Sequence, residues 1–330
     1  MKRLLVAILA MGALVGSNAM ATNSRLAVMG TGDAGMVLGN GNMTGSLFYN
    51  DAYNMFYNPA YVNDFGHWAT VEKGTIGGAE GGFVTSLGSL NVGAWMNRST
   101  YTTGVGKRPL DLIVGGDMGM KWGVGATWGQ NNIGGTGGTS TMDLSLHAGV
   151  EVQDFAPFFH VELTSNQSNI GAGLRYHMND WTPYAAWEKA DAHGAAAKSN
   201  NLALGIGHSS KVTEGTMLFY QTGYVKSMSG NRDIVPISLS LEGTATSWLT
   251  LRGGLTFNLV DTTAGTSNNS ATTGRVGGSL TFNHVDVDFA FGTGVDTLAT
   301  APNAPAANIN GANIGFDSGT LAMVGATYKW

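Results

Sequence analysis

Asp143, Ser145 and His147 stand two residues apart, a spacing that puts an acid, a hydroxyl and an imidazole on one face of a strand. These are the residue types of acyl transfer, where a histidine takes the nucleophile's proton and an acid orients the histidine. In a row along a strand such side chains sit roughly 7 Å apart, too far for nucleophile and base to touch. No G-x-S-x-G elbow, H-E-x-x-H metal helix or P-loop accompanies them. Gly30-Thr31-Gly32-Asp33-Ala34-Gly35 fits the dinucleotide pattern G-x-G-x-x-G, with Asp51 at a passable distance for the ribose acid. That pattern needs a helix after it inside a βαβ unit, and the downstream sequence has no helical period. Asn58-Pro59-Ala60-Tyr61 matches an adaptor-binding tetrapeptide of eukaryotic receptor tails and has no bearing on an exported chain. The expectation is a non-enzyme with no catalytic residues, no cofactor and no metal site.

The other ionisable residues suggest a different chemistry. Asp111, Asp117, Asp143, Glu151, Glu162, Glu188, Glu242, Asp286 and Asp288 fall on the polar faces of alternating segments. Lys121, Arg175, Arg252 and Arg275 oppose them, with His147, His160 and His177 mostly neutral. Acids ringing an enclosed aqueous space favour cations. The three arginines could instead form a basic ladder, depending on strand register.

From Gly66 to Trp330 apolar residues recur with period two, the strand signature. Met142, Leu144, Leu146, Ala148 and Val150 alternate with Asp143, Ser145, His147 and Gly149. Ile170, Ala172, Leu174 and Tyr176 alternate with Gly171, Gly173 and Arg175. About 16 such segments can be read, the weakest at 67–73 and 215–226. Short turns such as Gly88-Ser89, Gly119-Met120, Gln153-Asp154, Asn179-Asp180 and Asn283-His284 mostly alternate with longer Gly/Ser/Thr/Asn-rich connections at 99–109, 130–140, 190–199, 259–271 and 293–318.

Lys2 and Arg3, the apolar stretch Leu4 to Gly16, and Ala19-Met20-Ala21 make a secretory leader, with the mature chain expected from Thr22. Only 12% of residues are charged, the net charge is −5, and there are 50 Gly and no Cys. That composition excludes a disulfide scaffold and argues against a nucleic-acid binder, which would be basic. Apolar runs of about 20 residues, the mark of helical membrane proteins, are absent.

Alternation alone suits a soluble sandwich as well as a membrane barrel. Three features favour the barrel. The segments are too many for one sandwich, and no linker divides them. Their polar faces are poor in Lys. Strands of about ten residues also match the span that a closed barrel needs in lipid. Trp122 with Trp128, and Trp181 with Trp187, share strand faces where interfacial aromatics would sit. The expected fold is all-β, a closed transmembrane antiparallel β-barrel of about 16 strands (roughly 14–18). Residues 1–21 are the leader, 22–65 an amino-terminal segment, and 66–330 the barrel. Residues 22–65 either fold inside the lumen as a plug or constriction, or add a strand or two plus a periplasmic tail.

Ala322, Val324, Ala326, Tyr328 and Trp330 share one face of the last segment, and Trp330 is terminal. Tyr328 and Trp330 resemble the signal that outer-membrane barrels present to the barrel-assembly machinery. The glycine-rich opening, the D-x-x-x-x-x-x-N-P-A run from Asp51 to Ala60, and the barrel after it resemble the amino-terminal region of the FadL-like superfamily. Those transporters are longer and have fewer strands. The whole chain resembles porin-like major outer-membrane proteins of Bdellovibrio-type bacteria. These resemblances imply a Gram-negative outer-membrane location and contact with outer-membrane lipids, with a homotrimer as the common porin assembly. The function they imply is passive diffusion of small hydrophilic solutes, here with weak cation preference. Transport of hydrophobic compounds and a plugged structural or receptor barrel are the alternatives.

Overall fold

Period-two segments joined by tight turns can satisfy their backbone groups only by pairing with chain neighbours, and this chain does so all the way round. The computed structural model describes residues 22–30, 45–74, 79–98, 110–132, 140–163, 167–192, 198–230, 232–262, 272–293 and 320–330. The leader, residues 31–35 of the glycine pattern and most of the long connections lie outside these.

Sixteen strands follow in order. They are β1 Trp68–Gly74, β2 Glu80–Leu87, β3 Leu90–Met96, β4 Leu110–Asp117, β5 Lys121–Asn132, β6 Ser140–Glu151, β7 Phe155–Leu163 and β8 Gln167–Tyr176. The second half is β9 Trp181–Ala192, β10 Ser199–Thr213, β11 Thr216–Ser227, β12 Arg232–Thr246, β13 Leu249–Thr262, β14 Thr272–Phe282, β15 Val285–Thr293 and β16 Thr320–Lys329. Each pairs antiparallel with its neighbours, and β1 pairs with β16 from Trp68↔Lys329 to Gly74↔Met323, closing the barrel. Closure removes the sheet edge, as lipid requires. The weakly patterned segments at 67–73 and 215–226 are both strands. β5, β9 and β13 run three or four residues into stretches expected to be loop. Tight turns pass through left-handed backbone at Gly88, Gly119, Gln153, Asn179, Gly215 and Asn283, with φ between 54° and 86°.

The faces decide between sandwich and membrane barrel. On β6, Leu146 is 52% exposed, whereas Ser145 and His147 are 2% and 6% exposed. Leu112, Val124 and Val324 are likewise exposed on the outside. A soluble sandwich hides its apolar face; this molecule hides its polar face and shows the apolar one, which is the arrangement that hydrocarbon stabilises.

Within 22–65 the described residues hold no strand. Helix α1, Asn23–Met29, lies against β12 to β16, and a 3-10 turn at Pro59–Asn63 lies against β3 to β6, all on the polar side of the wall. A second 3-10 turn, Ala52–Phe56, packs through Tyr53 and Phe56 on Trp95, with ring centroids 5.6 and 5.4 Å apart. Local sequence accounts for these turns. Asp51 caps the Ala52–Phe56 turn, its Oδ1 accepting from Tyr53 N at 3.0 Å. Asn58 caps the Pro59–Asn63 turn, accepting from Ala60 N at 3.1 Å, with Pro59 following it. The acidic residue and the Asn-Pro pair of the D-x-x-x-x-x-x-N-P-A run are therefore two successive caps.

Candidate functional site

Glycines on the inner wall let the amino-terminal segment approach backbone to backbone. A β-carbon on Gly123 would stand 2.2 Å from the carbonyl carbon of Pro59, and one on Gly149 would stand 1.9 Å from Asn58 Oδ1. Asn63 Nδ2 adds hydrogen bonds to the carbonyls of Trp122 at 3.1 Å and Gly116 at 3.3 Å. An apolar cluster that includes Leu26, Met29, Leu47, Phe48, Met55, Phe56, Trp68, Trp95 and Phe158 fills the space between segment and wall.

A charged chain crosses the same interface. Arg25 on α1 gives Nε and Nη2 to Glu242 at 2.8 and 3.1 Å, and Nη1 to Asp51 at 3.0 Å. Glu242 also accepts from Arg252 Nε at 2.5 Å, and Arg252 Nη1 reaches Asp288 at 2.9 Å. Burial disfavours the charged Arg25, but Glu242, and after it Asp51, outweigh this and hold the guanidinium above its ordinary pKa. Asp51 answers to a single guanidinium, so burial prevails and its carboxyl is pushed up to about 6. Arg175, fully buried on β8, donates to the hydroxyls of Tyr57 and Tyr61, each at 3.0 Å, and to Asn50 Oδ1 at 3.2 Å. Burial raises both tyrosines above their ordinary pKa, and Arg175 only partly offsets it.

Further along the wall, Arg98 meets Asp111 through two contacts of 2.7 and 3.0 Å, and Thr127 donates to the same carboxylate at 2.6 Å. Ser145 Oγ lies 2.9 Å from His147 Nε2. This corrects the expected wide separation: the imidazole leans back along the strand over its neighbour. His147 Nδ1 has no hydrogen-bond partner, so no acid orients the ring in the manner of a triad. The Asp143 side chain lies outside the described residues. His147 pairs across to His160, whose Nε2 is 3.7 Å from Glu188, and Glu162 accepts from Asn169 at 2.8 Å.

The remaining predicted residues take local roles. Asp117 accepts from Gly119 N at 2.9 Å and serves a turn, exposed rather than set in the inner wall. Lys121 pairs with Asp64 and, at 2.9 Å, with Glu151. His177 Nδ1 lies 3.5 Å from Thr182 Oγ1. Arg275 caps the carbonyl of Ala27 at 2.8 Å, and Asp286 pairs with Lys329 at 2.5 Å. Arg175, Arg252 and Arg275 form no common ladder: each is held by a different partner set. Tyr328 and Trp330 stack on the outside, with centroids 6.1 Å apart and both rings about half exposed. The inner-wall acids are thus largely locked beside cations. Sequence reasoning missed Arg25, Glu72, Glu80 and Arg98, and named Asp51 only as the acid of two motifs, not as the partner of Arg25. Glu72 could have been found, since it alternates with the outward Val71; Arg25 stands between polar Thr22-Asn23-Ser24 and apolar Leu26-Ala27-Val28-Met29, with no signal of its own.

No protein-family model matches the chain, and no curated protein matches it. Solved structures do. A bacterial polysaccharide outer-membrane secretin is similar at TM-score 0.50 and 8% identity, over 80% of this chain and 97% of that one. A FadL homologue from Pseudomonas aeruginosa is similar at 0.45 and 10% identity, over 92% and 98%. CdiB from Acinetobacter baumannii is similar at 0.45 and 8% identity, over 80% of this chain, which spans only 60% of CdiB. The fold is that of outer-membrane β-barrels. Among the described residues no helix is long and apolar enough to cross a membrane; the strands do the crossing, the apolar outer face meets the lipid, and the fold is one that outer membranes hold.

Proposed function

We propose that this chain is a porin-like diffusion channel for small hydrophilic solutes, weakly cation-preferring, with residues 22–65 as its constriction. The observation that carries the reading is the hydrophilic inner wall: Ser145, His147, Glu162, Asn169, Glu188, Asn201 and Ser238 all turn inward, away from hydrocarbon. Buried polar groups cost stability unless they are hydrogen-bonded, and water or solute in the bore supplies the partners that the wall itself does not. Paired acids and bases leave only a modest acidic excess, so the selectivity is weak. Planar-bilayer recording tests it: steps of small conductance for the full chain, larger steps once 22–65 is deleted, and a reversal potential of cation sign in a salt gradient. A silent barrel in both forms, or clear anion preference, would remove the reading.

The cleft between segment and wall lined by Met55, Phe56, Pro59 and Ile113 has room for about one water, too little for the ligand that transport of hydrophobic compounds would need.

A further inference from the structure

Two carboxylates of the inner wall converge on one hydroxyl of the amino-terminal segment. Glu72 on β1 and Glu80 on β2 face each other directly in the ladder, both buried. Tyr53 Oη lies 2.7 Å from Glu72 Oε2 and 2.5 Å from Glu80 Oε1. A phenol has one proton to donate. Two oxygen–oxygen contacts this short each need a hydrogen between them, so a second proton sits on a carboxyl. The two carboxyls share that proton around the Tyr53 hydroxyl. Glu72 also accepts from Asn23 N at 2.7 Å, Ser24 N at 3.2 Å and Ser24 Oγ at 3.2 Å, and so holds the start of α1 as well.

We propose that this proton latches the amino-terminal segment to the barrel wall. With the proton in place, one continuous run of hydrogen bonds ties β2, the Tyr53 turn, β1 and α1 together. Without it, two anions press on a single hydroxyl, and both attachments of the segment weaken together. Raising the pH should therefore loosen the segment. Other groups bear on the latch. Arg98 feels the Glu80 charge and pairs with Asp111. Asn23 and Ser24 of α1 and Gly325 of β16 bring no charge to Glu72. Asp51, paired with Arg25 on the same segment, titrates in the same sense and must be neutralised in any test. The latch rests on the reading of 22–65 as the constriction and supplies its regulation.

The chain has no cysteine, so Val62→Cys, buried in the seated segment, reports unseating through maleimide labelling. The full chain is reconstituted in vesicles and carries Asp51→Asn. Its labelling rate is divided at each pH by that of the same chain with Glu80→Gln, whose amide donates permanently to Tyr53; the division cancels the thiol's own titration. The ratio should start near one at about pH 5 and climb about tenfold by pH 8, one unit's worth of proton linkage. Tyr53→Phe should label fast throughout, and it serves if the glutamine variant fails to fold. A ratio flat at one, with deletion of 22–65 still enlarging the conductance, would overturn the latch and leave the constriction standing. Fast labelling of every chain at every pH, with conductance indifferent to the deletion, would overturn both.

Discussion

The carbonyl oxygen of Val28 lies 1.8 Å from the point where a β-carbon on Gly254 would stand. Helix α1 therefore rests directly on the backbone of β13, and no side chain at 254 is compatible with that seat. Gly254→Val should unseat α1 while leaving the β13 ladder whole, since valine favours strands. Gly253, next in sequence, faces open space, so Gly253→Val is the control. Single-channel conductance should rise for the first and not the second, with heat-modifiable gel migration unchanged in both. Equal conductance in the two variants would mean that α1 does not restrict the bore.

Neighbouring residues on β6 test which face meets lipid. Leu146→Arg should cost about 2–4 kcal/mol in vesicle refolding titrations if the position lies near mid-depth. Ser145→Arg would be no clean counterpart, because Ser145 is buried and bonded to His147. Ser145→Ala is the better one, at about 1 kcal/mol for a lost hydrogen bond. A tolerated Leu146→Arg would reverse the assigned faces.

The barrel was legible because alternation repeats in every strand, and one strand's error cannot move the others. Even β1 and β11, with poor patterns, are fixed by neighbours on both sides. Interior pairing was not legible. Whether Arg252 meets Glu242 or Asp288 depends on register between β12, β13 and β15, and it meets both. The Ser145–His147 contact depends on a rotamer, which spacing does not set. Arg25 was invisible because its partners lie 26 and 217 residues away.

Acid should seat the segment more firmly through Asp51. Its carboxyl ionises at about 6 when buried and at 3.8 when exposed to water. Between those values the seated form holds a proton that the released form lacks, so lowering the pH through about 6 favours seating. The gain is complete below 3.8 and is on the order of 3 kcal/mol. In a Glu80→Gln chain, where the shared proton contributes nothing, Val62→Cys labelling relative to that of the Asp51→Asn derivative should fall as the pH drops from 7 to about 4. A ratio rising on acidification would show that the Arg25 pairing, not burial, governs Asp51.

Arg25 joins a carboxylate of the amino-terminal segment to one of β12, and removing it leaves charge behind. Arg25→Ala deprives buried Asp51 of its ion-pair partner among the described residues, while Glu242 keeps Arg252. Breaking a buried pair from one side typically costs about 3–5 kcal/mol, most of it the uncompensated charge. Adding Asp51→Asn should therefore recover a large part of the loss, since asparagine still caps the Tyr53 turn. Adding Glu242→Gln instead should recover less and should also loosen Arg252. Labelling at Val62→Cys across the single and double variants gives the coupling directly. Additive losses for Arg25→Ala and Asp51→Asn would mean that the pair contributes nothing to holding the segment in the barrel.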